Sequence, residues 1–190
     1  MPDTVAQTRV LFDGIPAPVI YSSSSQVTAI VPYAMRGRAT ARVEIEYAGV
    51  RSTAVDVPVG EAAPGIFTVD ANGQGAILNQ DMSANSVMNG AEPGSIVSIY
   101  ATGEGATEPA GQDGRITGEA LAKPSLPVKV YIHGEEVEVL YAGSAPGMPA
   151  GVIQVNARVP ASAPRGAFVD VRLHVGNAQS QPGVKLATKP

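Results

Sequence analysis

The stretch Asp70–Asp81 carries the pattern in this sequence that best suits metal chemistry. Oxygen-bearing side chains fall at positions 1, 3, 5 and 12, with glycine at position 6 and an aliphatic residue at position 8, as in an EF-hand calcium loop. They belong to Asp70, Asn72, Gln74 and Asp81. However, Ile66–Val69 reads as a strand where an EF-hand needs a helix, and position 12 lacks the bidentate Glu. We therefore expect an Asn-Gly β-turn leading into a strand, with no metal and no cofactor.

The two histidines, His133 and His174, are the next candidates for chemistry. His174 falls on the polar side of an alternating segment, and His133 falls at a hairpin turn. Two scattered imidazoles cannot complete a three-ligand zinc site without convergent carboxylates. The chain has no Cys, which excludes thiolate sites, disulfides and a cysteine nucleophile. No Gly-x-Ser-x-Gly nucleophile elbow is present, and we predict no catalytic residues and no enzyme activity.

Composition narrows the class of protein that could present such residues. The chain has 190 residues, of which 21 are Gly and 16 are Pro, too many chain breakers for a helical bundle. A composition of 44% hydrophobic and 16% charged residues argues against wholesale disorder. The net charge of −4 argues against nucleic acid as a partner, because phosphate binding needs clustered cations. No apolar run is long enough to span a bilayer.

The hydrophobic periodicity is two throughout, which is typical of half-buried strands. Alternation from Ala39 to Tyr47 reappears from Ala167 to Val175 in the same phase. Turn signals such as Asp13-Gly14 and His133-Gly134 separate the strands, and no segment has the pattern of an amphipathic helix. Short strands divided by frequent turns indicate β-sandwiches.

Two parts of the chain also match each other in sequence. Val10–Tyr21 matches Val130–Tyr141 at an offset of 120, and Gln26–Pro32 matches Gln154–Pro160 at an offset of 128. The extra residues of the second copy fall in a Gly-, Pro- and Ala-rich loop, where insertions are tolerated. We interpret this as an internal duplication. It predicts that four side chains are buried at equivalent places in superposable strands: Val43 with Val171, and Ile45 with Leu173.

This duplication predicts two tandem units, residues 1–90 with a connecting hairpin and residues 91–190. Ser95–Tyr100 is assigned as the opening strand of the second unit, and the first unit has no such strand before Val10. One explanation is that its own opening strand lies upstream. An open sheet edge is a liability, so we expect a cover over the first unit. Residues 61–90 are the favoured cover, because Ala76–Asn79 is a strand without an assigned partner; the second unit or another chain are the alternatives.

Several ordered segments resemble a known family. They are Gly14–Tyr21, Gln26-Val27, Val31-Pro32-Tyr33, Ala63–Thr68, Gly73–Asn79, Pro93–Gly103, Val139–Gly143, Ala145–Gly147 and Gln154–Asn156. Together they resemble the uncharacterised C-terminal domain of secreted proteins from Solibacter and related acidobacteria, over residues 8–188. The resemblance implies two immunoglobulin-like units, similar to IPT/TIG domains, at the end of large exported proteins. That family has no established catalytic residues to carry over.

The sequence thus predicts an all-β chain of two tandem immunoglobulin-like β-sandwich units. We expect a non-catalytic structural or adhesive module at the C-terminal end of an exported bacterial protein, outside the cell or on its surface. A module that binds polysaccharide or the cell surface is the alternative, although Trp is absent and aromatic residues are only 5%. The expected partners are the upstream domains of the parent protein and a surface polysaccharide or protein. Nucleic acid and membrane insertion are not expected.

Overall fold

Strands make up the regular structure of the chain, apart from one 3-10 turn at Tyr33–Met35. The computed structural model describes all 190 residues. Backbone pairing divides the strands into an N-terminal group, residues 1–60, and a C-terminal group, residues 61–190. The predicted all-β class is therefore confirmed.

None of the helical segments has the length and apolar character needed to cross a membrane.

The N-terminal group contains seven strands. They are β1 (Thr8–Phe12), β2 (Ile15–Pro16), β3 (Val19–Ser22), β4 (Val27–Ala29), β5 (Thr40–Tyr47), β6 (Val50–Arg51) and β7 (Val55–Pro58). One sheet has the order β2-β1-β5-β6, with β7 also paired to β5. β3 and β4 form a separate hairpin.

The C-terminal group contains twelve strands. They are β8 (Gly65–Ile66), β9 (Ile77–Leu78), β10 (Ile96–Thr102), β11 (Thr107–Glu108), β12 (Lys123–Pro124), β13 (Val128–Ile132), β14 (Glu135–Val137), β15 (Val139–Ser144), β16 (Val152–Arg158), β17 (Phe168–Val175), β18 (Ala178–Gln179) and β19 (Lys185–Ala187). One sheet has the order β15-β16-β10-β8, with β9 on β10, and the other has the order β14-β13-β17-β18, with β19 on β17. β11 and β12 pair as a small hairpin.

The main hydrophobic core lies between the two large sheets of the C-terminal group. Alternate residues of β17 are buried, from Val169 to Val175, and in β10 the apolar Val97, Ile99 and Ala101 are buried together with Ser98. The apolar side chains among these belong to one cluster of 19 buried residues, whereas the cluster of the N-terminal group has 6. Each fully buried Val, Leu or Ile contributes about 1.5–3 kcal/mol by leaving water. The C-terminal group therefore carries most of the apolar stabilisation.

The two groups share the register of their central ladder. In β1 and β5, Val10 lies opposite Ile45, and in β13 and β17, Val130 lies opposite Leu173. The first residues of these pairs are 120 apart and the second residues 128 apart, which are the offsets that relate the two sequence segments. The offsets that relate the two sequence segments therefore also relate the residue pairs of the two ladders.

A bulge also repeats between the groups. The β3–β4 hairpin shifts its register between Val19 and Tyr21, and the β15–β16 hairpin shifts its register between Val139 and Tyr141. A bulge inserts an unpaired residue and changes the direction of the strand locally. Both hairpins thus bend at the same place.

The predicted burial of β5 is wrong in part. Val171 and Leu173 are fully buried, but Val43 is only half-buried and Ile45 is 40% exposed. The strand phase is nevertheless correct, because Ala41, two residues before Val43 and on the same face, is buried. Ile45 is exposed because the N-terminal group has no large sheet opposite this face.

The favoured cover over the first unit, residues 61–90, is also wrong. Within residues 61–90, β8 pairs with β10 at Ala101 and Thr102, and β9 pairs with β10 at Ser98 and Ile99. β8 and β9 therefore belong to the sheet of the C-terminal group, whereas the predicted division at residue 90 placed them in the first unit. β10 itself forms where the strand at Ser95–Tyr100 was predicted. β4 has β3 as its only partner.

Candidate functional site

The first part of the predicted calcium loop folds as a turn held by its own aspartate. Asp70 Oδ1 accepts the backbone N–H of Asn72 at 2.9 Å and that of Gln74 at 3.0 Å. Gly73 has φ of +85°, a conformation that glycine adopts without steric cost. Asn72 lies exposed on this turn. The expected Asn-Gly turn is thus present, and one Asp70 oxygen is used to build it.

The other two proposed ligands lie in different surroundings. Gln74 is buried, and its Nε2 donates to Asn85 Oδ1 at 3.0 Å. Asp81 is exposed and accepts bonds from the backbone N–H of Ser83 at 3.0 Å and from its hydroxyl at 2.5 Å. The Ser83 hydrogen bonds lower the pKa of the Asp81 carboxyl. The side chains of Asp70, Gln74 and Asp81 thus make three separate sets of local hydrogen bonds.

A buried amide network lies beneath this loop and centres on Asn85. Asn85 Nδ2 donates to Asn79 Oδ1 and to the Ala187 carbonyl, both at 2.9 Å. Asn85 Oδ1 accepts the Ala187 N–H at 2.9 Å in addition to the Gln74 amide. Asn85 is only 3% exposed, so these bonds form away from water, where an unpaired partner is costly. Its amide therefore pairs with β19 as a neighbouring strand would.

Next to this network, the backbone of two earlier segments pairs in parallel with residues 185–189. Lys185 N–H donates to the Gly73 carbonyl at 2.8 Å, and its carbonyl accepts the Gly75 N–H at 2.9 Å. Further on, Ala91 N–H donates to the Ala187 carbonyl, and its own carbonyl accepts the N–H of Lys189, both at 2.9 Å. β17 pairs with the opposite edge of β19, antiparallel. We call residues 73–75, Asn85 and Ala91, together with residues 185–189, the C-terminal clamp.

The sequence contains little that would have revealed the clamp. Asn85 lies in a segment without period two or 3.6, between Met82 and Met88. Its buried side-chain amide pairs with the Ala187 backbone where a neighbouring strand would otherwise pair. A single side chain in that role produces no hydrophobic periodicity in the sequence. The one available indication was the density of amide residues at positions 79, 80, 85 and 89.

Away from the clamp, a polar contact joins the N-terminal group of strands to the C-terminal group. The hydroxyl of Tyr33 donates to Glu104 Oε1 at 3.0 Å, and its N–H donates to Asp113 Oδ1 at 2.9 Å. Glu104 is 3% exposed, and this burial raises the pKa of its carboxyl. Burial and the neighbouring Glu104 and Asp113 carboxylates likewise raise the pKa of the Tyr33 hydroxyl. The contact thus places an acid without a cationic partner at the junction of the groups.

The histidines lie where the sequence predicted. His133 occupies an exposed hairpin turn with φ of +55°, and His174 lies on β17 with its ring 4.7 Å from the ring of Tyr131. Tyr131 and Lys129 both bond to Glu136, and the Lys129 contact is the main reason that the pKa of Glu136 is lowered. This is an exposed ladder of cross-strand pairs on the outer face of the sheet.

An open polar groove of about 620 Å³ lies beside the clamp. Its lining residues are Asn79, Gln80, Asp81, Met88, Asn89, Gly90, Glu92, Ser95, Lys189 and Pro190. Met88 is 92% exposed and, apart from Pro190, is the one large apolar side chain in the lining. Side-chain amides and carboxylates thus dominate the lining of the groove.

No protein-family model matches the chain, and no curated protein matches it in sequence.

Proposed function

We propose that the chain is a non-catalytic structural module, made of two tandem immunoglobulin-like units related by duplication. In this proposal it forms the C-terminal part of an exported bacterial protein and holds upstream domains outside the cell or at its surface. The resemblance to the acidobacterial C-terminal domain supports the location and the partners. The shared ladder registers and the repeated bulge support the duplication.

A matched pair of serines supports the same duplication. Ser52 Oγ accepts the N–H of Ile45 at 3.1 Å, and Ser180 Oγ accepts the N–H of Leu173 at 3.0 Å. In both places the serine N–H donates in return to the carbonyl of the same residue, at 2.8 Å. Both serines thus make the same two bonds to the central strand, at an offset of 128.

The C-terminal clamp is the observation that carries the structural role. Residues 73–75 and Ala91 run parallel to β19, so tension applied at the two chain ends pulls these neighbours in opposite directions along their length. Such shear loads the hydrogen bonds at Lys185, Ala187 and Lys189 together, whereas peeling would break them one at a time. This arrangement suits a module that transmits tension from its C-terminal end to upstream domains.

Single-molecule force spectroscopy tests this role on the full chain held by its two ends. We expect the C-terminal group to unfold last and to release roughly 40 nm, which is the extended length of residues 61–190 less their folded span. Asn85→Ala should lower the force of this event, because it removes the buried amide from the clamp. Asn72→Ala, on the exposed turn, is the matched control and should leave the force unchanged. Equal unfolding forces for wild type and Asn85→Ala would contradict the proposed resistance of the clamp to tension.

Polysaccharide binding is the second candidate, and the polar groove beside the clamp favours it. Affinity electrophoresis in gels that contain soluble bacterial or plant polysaccharides is the test. Retardation of the wild-type chain that is lost in Met88→Ala and in Lys189→Ala would support binding in the groove. Met148→Ala is the control, because Met148 is exposed outside the groove. Equal mobility of all variants in every gel would contradict this candidate.

A further inference from the structure

The free edge of β4 is the surface that the structure leaves without a partner. The Gln26 carbonyl accepts the N–H of Ser23, and the Ile30 N–H donates to the Pro18 carbonyl. The even-numbered residues of this segment therefore direct their backbone N–H and carbonyl groups toward the β3 side. In an extended strand, alternate residues direct their backbone groups to opposite sides. The odd-numbered residues of β4 therefore turn their N–H and carbonyl groups away from β3.

Those outward residues are Val27 and Ala29, and no backbone bond outside the strand pairing involves either of them. Their counterparts at an offset of 128 are Val155 and Ala157 of β16. In the C-terminal group this edge is occupied by β10, with Val155 opposite Ile99. Both counterparts are fully buried, whereas Val27 and Ala29 are half-buried.

An apolar face of the N-terminal group is uncovered as well. Ile45 is 40% exposed and Tyr47 is 61% exposed, although both alternate in phase with the buried Ala41. Their counterparts Leu173 and Val175 are fully buried in the same cluster as β10. By the same offsets, a strand placed on β4 as β10 is placed on β16 would cover this apolar surface in addition to pairing backbone groups.

We propose that the free edge of β4 binds an extended segment of a partner polypeptide, antiparallel to β4 and uncharged, with apolar side chains at alternate positions. The template is β10, whose buried Val97, Ile99 and Ala101 alternate with Ser98 and Tyr100. Addition of a strand to an exposed edge is a recurrent mode of peptide recognition, with affinity from backbone bonds and specificity from alternate side chains. This surface is distinct from the clamp and does not depend on the proposed resistance of the clamp to tension.

The geometry also fixes the direction and limits of the bound segment. Antiparallel pairing as in β10 places its beginning near Ile30 and its end near Gln26. Gly151 of the C-terminal group lies against Ile30, and a Cβ on Gly151 would come within 2.7 Å of Ile30 Cγ2. The segment therefore pairs from Ala29 toward Gln26 and does not extend past Ile30.

The probe is a synthetic peptide with the sequence of Ser95–Gly103, a soluble lysine tail and a fluorophore. Binding to the folded full chain is measured by fluorescence anisotropy, and we expect saturable binding. Since β10 already occupies its own site, the peptide should bind at β4. The peptide that carries Ile99→Asp should bind at least about tenfold more weakly, because a charge would enter an apolar site.

Two protein variants locate the site. Ala29→Pro removes one outward N–H at an edge position where proline is tolerated, and Ile45→Lys places a charge on the uncovered face. Each should weaken peptide binding at least about tenfold, while circular dichroism verifies the fold. Leu140→Lys is the matched control, since Leu140 is 45% exposed in the C-terminal group.

Three results would overturn the proposal. They are absence of saturable binding, equal binding by Ile45→Lys and the wild type, and self-association in sedimentation velocity that Ala29→Pro abolishes. The last result would assign the edge to a second copy of this chain. If Ala29→Pro fails to fold, Ile45→Lys against Leu140→Lys still decides the site.

Discussion

The N-terminal and C-terminal groups build the same ladder and bury very different amounts of apolar side chain. β5 and β17 have the same register with their neighbours and the same serine contact. Yet Leu173 is fully buried and its counterpart Ile45 is 40% exposed. The difference arises on the opposite side, where the C-terminal group has β8, β9 and β10 and the N-terminal group has the β3–β4 hairpin alone.

This difference separates two contributions that usually occur together. Ladder register follows from local pairing and from the phase of alternation, and both groups have it. Burial follows from a second layer that covers the same face, and one group has it. Paired substitutions at equivalent positions therefore measure the second layer while the local backbone stays constant.

The largest expected difference is between Leu173→Ala and Ile45→Ala. Leu173→Ala should lower the free energy of unfolding by about 2–5 kcal/mol, because it leaves a cavity between two sheets. Ile45→Ala should cost about 1 kcal/mol or less, because much of Ile45 already contacts water. Chemical denaturation of the two variants, monitored by circular dichroism, measures both values.

Val171→Ala and Val43→Ala provide a second matched pair at the neighbouring position, with the same order expected. Equal losses for Leu173→Ala and Ile45→Ala would mean that the face of β5 is covered in solution.

The next effect concerns the serine contact. Ser180 is buried, and Ser180→Ala leaves the N–H of Leu173 without an acceptor, which costs about 1–3 kcal/mol. Ser52 is exposed, and water can replace its hydroxyl, so Ser52→Ala should cost less than about 0.5 kcal/mol. Amide hydrogen exchange of the Leu173 and Ile45 N–H groups measures the same difference between the two serine contacts locally. A larger loss for Ser52→Ala than for Ser180→Ala would contradict this assignment.

Sequence reasoning succeeded where the signal is periodic. The phase of β5 and β17, the position of β10 and the Asn72-Gly73 turn all follow from alternation and turn residues. It failed where the outcome depends on distant segments. Alternation shows which face of β5 points inward, but it cannot show whether another sheet covers Ile45.

The candidate sites illustrate the same limit. The calcium-loop pattern correctly located a turn at Asp70, but the spacing of Gln74 and Asp81 did not indicate that one is buried and the other exposed. The role of Asn85 depends on Ala187, which lies 102 residues further along the chain. A contact at that separation between an amide and a backbone has no signature in one sequence.

The junction between the groups should respond to pH through Glu104. Burial raises its folded-state pKa, so the folded protein retains this proton to a higher pH than the unfolded chain does. Stability from this group is therefore lost as pH rises from the unfolded pKa to the folded pKa, and the loss is complete above the latter. Glu104→Gln removes the charge and retains an acceptor for the Tyr33 hydroxyl.

We accordingly expect Glu104→Gln to raise the melting temperature at pH 7 and to raise it less at pH 4. Glu108→Gln is the control, since Glu108 is exposed nearby. Differential scanning calorimetry of the three proteins across this range measures the effect. A gain for Glu104→Gln that stays constant with pH would show that this carboxyl does not titrate in the interval.

The smallest expected effect is that of calcium on the C-terminal group. The Asp70–Asp81 loop has no counterpart in the N-terminal group, so a metal bound there would be another source of the difference between the groups. An Asp70 oxygen already caps the turn, Gln74 pairs with Asn85, and Asp81 bonds to Ser83. We therefore expect millimolar calcium to leave the melting temperature unchanged, in the wild type and in Asp70→Ala alike. Because a ligand that binds only the folded state must stabilise it, a rise of several degrees that Asp70→Ala abolishes would establish a calcium site. The stability of the C-terminal group would then depend on metal as well as on its second sheet.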